Sequence, residues 1–287
     1  MSNTVVPLPQ LVEKARSLPC APWLLPKLME QLAASDTTAD QIEALIKLDS
    51  GLATETLRLA NSAYFSGSMP CDSFTDAIVR LGFREMYRLA TTKIASRWLT
   101  NPAQGYGWEP GDLYRHSLTV AVGADLLAKK LGLSTPEIAY TAGLLHDVGK
   151  LALAYVCSAS FEDIRQFQAE KKCSWREAEA ALLGYDHTEV GGALLRIWAF
   201  PASLIEVVSF YPRPRLASDE HRALVTCVHA AKHLALCLGT GVGEDGFTTE
   251  LDEAILAEHG ITPELLESLL PAVLAGSRKL LQSETPG

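Results

Sequence analysis

The stretch Ile138–Val156 constrains the fold of this chain more than any other, because nearly every residue in it is apolar or small. A helix that is apolar on all sides lies either in a protein core or in a membrane. The stretch is long enough to cross a bilayer, but His146, Asp147 and Lys150 fall at its middle, where lipid would make them costly. We therefore predict a core helix, continuous over residues 136–156, and no membrane span. A buried carboxylate needs a partner charge or a metal ion.

Helical spacing of apolar residues recurs along nearly the whole chain, and no run alternates with period two between hairpin turns. The sequence predicts an all-α protein. The segment 100–110, rich in Asn, Pro and Gly, is the weakest connection and predicts a boundary between sub-domains. We expect an N-terminal helical bundle over residues 14–104, a second bundle over 105–240, and C-terminal helices over 241–283 packed on the second bundle. Pro271 should kink or interrupt the last of these helices.

Net charge and cysteine usage narrow the class of protein. The formal net charge is -9 for 287 residues, which argues against broad nucleic-acid binding, since such binding needs a basic surface. The N-terminus carries no secretory signal, and the six cysteines form no CxxC pair. These features predict a cytoplasmic protein whose thiols stay reduced.

Two helical segments carry residues with metal-binding chemistry. His116 recurs with apolar residues at helical spacing and so lies on the buried face of its helix, and the adjacent pair His146 and Asp147 follows thirty residues later. Together these side chains offer two nitrogens and one oxygen, a set that suits zinc, manganese or iron. The alternative is a buried hydrogen-bonded pair in which Lys150 neutralises Asp147. His187 also has two interpretations, since it either faces this site or simply follows the capping residue at the start of a helix.

This order of histidines and aspartate resembles the HD superfamily of metal-dependent phosphohydrolases, whose ligands are a His, a His-Asp pair and a later Asp on a downstream helix. The matching residues here are His116, His146 and Asp147. The resemblance places Lys232 at the position of the later Asp, and an ammonium group has no lone pair for a metal. A further pair of histidines in the dinuclear branch corresponds here to the segment 210–215, Phe-Tyr-Pro-Arg-Pro-Arg. Both departures remove ligands, so the resemblance implies an incomplete metal site.

Other residues are also candidates for this site. His229 and His233 lie four positions apart on the predicted helix of Lys232 and share a face, so either could replace the missing aspartate. Lys150 could bind a phosphate in a working relative, whereas a salt bridge is its simpler role. The candidate ligand-binding residues are Lys150, His187, His229, Lys232 and His233, and no residue is assigned a catalytic role.

The N-terminal half contains three further motifs, at Leu48–Leu52, Leu57–Ala63 and Asp76–Gly82. They resemble the signature of the HDOD domain, the HD-related output domain of bacterial signalling, and the resemblance extends over residues 14–236. Gly82 also suits a tight turn between two helices. The resemblance implies an all-α bundle of two sub-domains with an HD-type C-terminal half. It also implies a non-catalytic regulatory module that works with histidine kinases, response regulators or cyclic di-GMP pathway components.

Three functions are open at this point. The leading expectation is a cytoplasmic bacterial signalling adaptor, a degenerate phosphohydrolase that binds a protein partner or a small ligand. It has no certain cofactor, and a divalent Zn, Mn or Fe ion is the candidate. The alternative is a metal-dependent phosphohydrolase or phosphodiesterase that acts on a nucleotide. A purely structural scaffold is the third, although an apolar core would not need the pair His146 and Asp147.

Overall fold

The computed structural model describes residues 6–16, 24–33, 37–61, 71, 73–100, 105–133, 136–240, 243 and 251–284. All regular secondary structure within these ranges is helical, which confirms the predicted all-α class. Among the helices of these ranges, none is long and apolar enough to cross a bilayer.

The helices are α1 (Leu8–Arg16), α2 (Leu24–Ala33), α3 (Ala39–Ile46), α4 (Ser50–Ala60), α5 (Phe74–Leu99), α6 (Asp112–Lys130), α7 (Pro136–Leu145), α8 (Val148–Val156), α9 (Phe161–Lys171), α10 (Trp175–Leu183), α11 (His187–Ile197), α12 (Ala202–Phe210), α13 (Arg222–Cys237), α14 (Glu253–Glu258) and α15 (Pro263–Glu284). Two short 3-10 turns, Ser158–Ser160 and Pro214–Leu216, connect some of them.

The chain divides into two compact units, one formed by Met1–Ala21 with Trp98–Gly287 and the other by Pro22–Arg97. The sequence placed the boundary near residue 104 and assigned residues from 14 onward to the N-terminal bundle. In the structure α1 packs against α8 and α11 of the larger unit. Tyr185, which precedes α11, donates its hydroxyl to the Val6 carbonyl oxygen at 2.6 Å. This hydrogen bond ties the start of the described chain to the larger unit.

In the smaller unit, polar side chains define where helices begin and turn. Asp49 caps α4 by accepting a hydrogen bond from the Leu52 backbone N–H at 2.9 Å. The same carboxylate accepts a hydrogen bond from Arg97 Nη2 at 2.8 Å. Gly82 has φ 75° and interrupts the helical backbone of α5, so the expected turn at this glycine is confirmed. The Leu57–Ala63 motif ends α4, and its last two residues lie outside the described ranges.

The predicted continuous helix over 136–156 is wrong, because α7 ends at Leu145 and α8 begins at Val148. His146 and Asp147 form the turn between them. The His146 ring donates from Nδ1 to the Gly143 carbonyl oxygen at 2.7 Å. A side chain that satisfies a carbonyl at the end of a helix stabilises the end itself. The two polar residues therefore divide the apolar stretch into two helices.

Small residues bring the helices of the larger unit close together. At its centre α6 lies against α7, α13 and α15. A Cβ atom on Gly143 would come within 2.8 Å of the Ala121 backbone in α6. Between α8 and α11 the approach is closer, because a Cβ on Gly149 would overlap the carbonyl oxygen of His187. This contact requires glycine at position 149.

The C-terminal helix continues through its proline. α15 runs from Pro263 to Glu284 with Pro271 inside it, so of the two expected effects, a kink or an interruption, the interruption is absent. Leu269 and Val273 are both buried, and helices in proteins are stabilised mainly by such packing. Burial on either side of the proline therefore compensates for the missing backbone hydrogen bond.

Candidate functional site

Three side chains from α6 and from the turn between α7 and α8 converge in the larger unit. Asp147 Oδ2 lies 3.2 Å from His146 Nε2 and 3.7 Å from His116 Nε2. All three side chains are buried. Within the described ranges they form the one group of His, Cys, Asp and Glu residues whose ligand atoms are close enough to share a metal ion. We call these three residues the HD cluster.

Backbone contacts fix the orientation of both histidine rings. Nδ1 of His116 lies 3.0 Å from the Thr240 carbonyl oxygen, and Nδ1 of His146 lies 2.7 Å from that of Gly143. A carbonyl oxygen only accepts, so both Nδ1 atoms carry the proton and both Nε2 atoms present a lone pair. Neither Nε2 has a hydrogen-bond partner. Rings held in this way by second contacts are typical of metal-binding histidines.

Burial keeps both rings neutral. It lowers the pKa of His116 to about 3, with a further contribution from the neighbouring His146. It also lowers the pKa of His146, although the Asp147 carboxylate opposes this change. Neutral imidazole is the form that binds metal ions.

Two lysines approach the same carboxylate oxygen. Lys150 Nζ donates to Asp147 Oδ2 at 2.6 Å, and Lys232 Nζ lies 3.7 Å from it. Burial disfavours the ionised carboxylate, but the positive groups around it, among them the ammonium groups of Lys150 and Lys232, outweigh this effect and hold the pKa of Asp147 well below its usual 3.8. Asp147 is therefore ionised and already neutralised by groups of the protein.

The donor atoms of the HD cluster suit a divalent ion, but the charges around them do not. An ion bound to Asp147 Oδ2 would lie close to the ammonium groups of Lys150 and Lys232. At about 4 Å and an effective dielectric constant near 20, one ammonium group and one divalent ion repel by roughly 8 kcal/mol. The cluster together with its two lysines therefore does not fit a divalent metal ion.

Tyr211, at the end of α12, holds the other oxygen of the carboxylate. Its hydroxyl donates to Asp147 Oδ1 at 2.6 Å and accepts a hydrogen bond from Lys232 Nζ at 3.2 Å. The Tyr211 ring also packs edge-on against His146, with 4.9 Å between the ring centroids. The sequence indicated only a loss of ligands in this segment, and the contact made by the tyrosine was not predicted. Its position directly after an apolar helix was the available signal.

A chain of buried hydrogen bonds extends from Tyr211 to α10. His187 Nε2 lies 3.0 Å from the Tyr211 hydroxyl, and His187 Nδ1 lies 2.7 Å from Glu179 Oε2. Glu179 also accepts the His187 backbone N–H at 2.9 Å and the hydroxyl of Tyr106. Glu179 is buried and was not among the predicted site residues. We call Tyr106, Glu179, His187, Tyr211 and Asp147 the buried relay.

Aromatic rings enclose the lysines. Lys150 Nζ lies 5.0 Å from the Trp108 ring centroid and 5.7 Å from that of Tyr106. Lys232 Nζ lies 4.7 Å from the Tyr211 ring centroid. A cation over an aromatic face is stabilised by the ring quadrupole, more so when water is excluded. The rings thus compensate in part for removing two ammonium groups from water.

The two remaining candidate histidines do not join the HD cluster. His229 donates from Nδ1 to the Tyr211 carbonyl oxygen at 2.8 Å and accepts the Asp252 backbone N–H at Nε2, 3.1 Å away. Both of its nitrogens are therefore used by backbone groups. His233 Nε2 lies 3.4 Å from Cys237 Sγ, near the end of α13. Neither histidine supplies a fourth metal ligand in this structure.

The helical fold and the HD cluster define a protein of the HD-related class. The model of the HDOD domain family matches residues 18–214. The chain therefore belongs to the HDOD domain family, and the resemblance stated from its motifs is confirmed.

Similar proteins come from several bacteria. An uncharacterized protein of Treponema pallidum (strain Nichols) is 26% identical over 219 residues, which are 76% of this chain and 42% of that protein. This chain thus spans less than half the length of that relative. A crystal structure of a candidate phosphohydrolase from Shewanella amazonensis SB2B has a TM-score of 0.69 and 27% identity, covering 93% of this chain and 94% of that one. A candidate signal transduction protein from Marinobacter aquaeolei VT8 has a TM-score of 0.70 and 20% identity, covering 97% and 59%; this last likeness shows the fold alone.

Proposed function

We propose that this chain is a regulatory module of bacterial signal transduction that works in the cytoplasm and catalyses no reaction. It binds a protein partner or a small ligand. Membership of the HDOD domain family supports this function. Histidine kinases, response regulators and components of cyclic di-GMP pathways are the partners that the family resemblance implies.

The observation that carries the proposal is the engagement of both oxygens of Asp147 by the protein. Tyr211 donates to Oδ1 and Lys150 donates to Oδ2, each at 2.6 Å. Metal-assisted hydrolysis needs an ion that generates hydroxide and polarises the phosphate. The carboxylate that would bind such an ion is occupied, so the arrangement supports a structural or ligand-sensing role.

A ligand would meet some candidate residues before others. His187 and Lys232 retain 5% and 7% of their surface accessible, whereas Lys150 retains 0%. Of these three residues, His187 and Lys232 are therefore the ones proposed to meet an entering ligand before Lys150 does. Lys150 would serve mainly as the internal partner of Asp147.

The test combines an assay for hydrolysis with an assay for signalling. The untagged chain is incubated with cyclic di-GMP or bis(p-nitrophenyl) phosphate and with Mn²⁺, Zn²⁺ or Fe²⁺. We expect no turnover above that of the double variant His116→Asn/His146→Asn. In the source bacterium, deletion of the gene should alter the transcriptome, and the wild type should restore it. Metal-dependent turnover that is lost in the double variant would contradict the non-catalytic function, and an unchanged transcriptome would contradict the regulatory one.

A second function is favoured by one specific observation. The unpartnered Nε2 atoms of His116 and His146 face a carboxylate, as a metal-dependent phosphohydrolase or phosphodiesterase acting on a nucleotide would require. The Shewanella protein that is 27% identical is named as a candidate enzyme of this kind. Metal-dependent turnover that is lost in His146→Ala would establish this function instead.

A further inference from the structure

We propose that the chain provides its own cations to the HD cluster: the ammonium groups of Lys150 and Lys232 take the place of a divalent ion, and the cluster assembles without metal. This inference deepens the proposed function and rests on it. It concerns metal content and stability, whereas the proposed function concerns turnover and signalling, so the two can fail separately.

Four nitrogen atoms lie within 3.7 Å of one carboxylate oxygen. Asp147 Oδ2 has Lys150 Nζ at 2.6 Å, His146 Nε2 at 3.2 Å and His116 Nε2 at 3.7 Å. Lys232 Nζ completes the group, also at 3.7 Å. A carboxylate oxygen has only two lone pairs, and the closest ammonium group takes one of them. Two neutral imidazoles and a carboxylate would otherwise attract a cation. The ammonium groups of Lys150 and Lys232 already supply that positive charge.

Both lysines are held in place by more than their charge. Lys150 lies between Asp147 and the rings of Trp108 and Tyr106. Lys232 lies over the Tyr211 ring and donates to its hydroxyl. Both lysines are buried, although this residue type is almost never fully buried unless it is paired. Their positions are therefore built into the packing of the larger unit.

The two lysines contact Asp147 in different ways. Lys150 contacts Asp147 directly and belongs to α8, the helix that begins immediately after the turn formed by His146 and Asp147. Lys232 comes from α13 and contacts Asp147 mainly through the Tyr211 hydroxyl. Replacing Lys232 should therefore change the charge of the site while leaving the turn and α8 intact. Position 232 is the place to test whether an ammonium group excludes metal.

The experiment measures metal content and thermal stability. Untagged protein is purified without chelator, exposed to Zn²⁺ or Mn²⁺, desalted and analysed by inductively coupled plasma mass spectrometry. We expect no more than a trace of metal in the wild type and no change of Tm with EDTA. The double variant Lys150→Met/Lys232→Glu removes both ammonium groups and supplies a carboxylate, so it should bind one ion per chain, with a Tm that EDTA lowers. Adding His146→Ala to this variant should abolish the binding.

A matched control separates the loss of charge from the gain of a ligand. Lys232→Met keeps the length of the side chain and removes its charge, so it should lower the Tm and bind no metal. Lys232→Arg keeps the charge and should stay close to the wild type in both measurements.

Three results would overturn the inference. One is near-stoichiometric metal in the wild type that is lost in His146→Ala. Another is a folded Lys150→Met/Lys232→Glu variant that stays free of metal. The third is a Lys232→Met variant with the Tm of the wild type. If the wild type binds metal but hydrolyses nothing, this inference fails while the proposed function stands.

Discussion

Tyr211 donates its hydroxyl to Asp147 Oδ1 at 2.6 Å, although 64 positions separate the two residues in the sequence. Both side chains are buried. The bond joins the end of α12 to the turn between α7 and α8, and the Tyr211 hydroxyl also accepts from Lys232 on α13. His187 of α11 also lies within 3.0 Å of this hydroxyl, so one phenolic oxygen connects four elements of the larger unit.

Removing this hydroxyl should destabilise the protein. Tyr211→Phe leaves one oxygen of a buried, ionised carboxylate without its donor, and such a loss costs about 1–3 kcal/mol, or more for a charged group. The free energy of unfolding is measured by urea titration with circular dichroism. Tyr155, which is 59% exposed, offers a control, and Tyr155→Phe should stay within about 0.5 kcal/mol of the wild type. Equal stabilities for the two variants would contradict the role of the bond.

The buried relay should couple residues that do not touch. Glu179 and Tyr211 both contact His187, through Nδ1 and Nε2 respectively. In a double-mutant cycle, Glu179→Gln and Tyr211→Phe should be non-additive by about 0.5–3 kcal/mol, because each change alters the ring that the other depends on. Urea unfolding of the two single variants and the double variant measures this coupling energy. Additive effects would show that the His187 ring does not couple Glu179 energetically to Tyr211.

The close approach of α8 and α11 should tolerate no side chain. In Gly149→Ala the new methyl group would overlap the His187 backbone oxygen, and backbone cannot move aside as a side chain does. We expect a loss of at least about 3 kcal/mol, at the upper end of overpacking effects. Thermal unfolding by calorimetry provides the measurement. Gly191→Ala is the matched control, because its closest contact would be a Val208 methyl group, and it should be the milder change.

Stability should decrease in mild acid because of His229. Burial lowers the pKa of His229 below its usual 6.5, although the Tyr211 carbonyl and Asp252 oppose this change. Below pH 6.5 the imidazole of His229 becomes protonated in the unfolded chain before it does in the folded protein, so the unfolded state holds more protons. The free energy of unfolding should therefore fall as the pH drops from about 6.5 toward the folded-state pKa, by up to ~1.4 kcal/mol per pH unit for this group.

The variant His229→Gln isolates this contribution. It has no imidazole to protonate, so its stability should decline less steeply than that of the wild type between pH 7 and pH 5. His116 and His146 keep part of the slope, since burial lowers their pKa values as well. Urea titrations across this pH range give both slopes, and identical slopes would exclude His229 as a contributor.

The sequence predicted the helical class, and its motifs indicated the family, because both depend on local spacing. The order of His116, His146 and Asp147 on successive helices also indicated three groups that could meet, and the structure brings them together. The break between α7 and α8 was missed for a physical reason. A stretch that is apolar on every side has no polar face, so its periodicity cannot show where the helix changes direction.

Residues of the site that depend on long-range packing were beyond the sequence. Glu179 lies four positions after Trp175 and four before Leu183 in α10, so helical spacing places it on the apolar face, but spacing alone gives no partner for its carboxylate. One such partner, Tyr106, lies 73 positions away. His229 stays outside the HD cluster because its Nε2 accepts the Asp252 backbone N–H. No helical pattern in the sequence could predict that contact.

The position of His229 also sets a lower limit on how short this protein can be made. The family match ends at residue 214, but Lys232 and His229 lie beyond it on α13. A gene truncated at that match would leave Asp147 without one of its cations and the Tyr211 carbonyl without its donor. Ending the gene before Asp252 would still leave Nε2 of His229 without its backbone donor. The smallest autonomous unit is therefore longer than the region that defines the family.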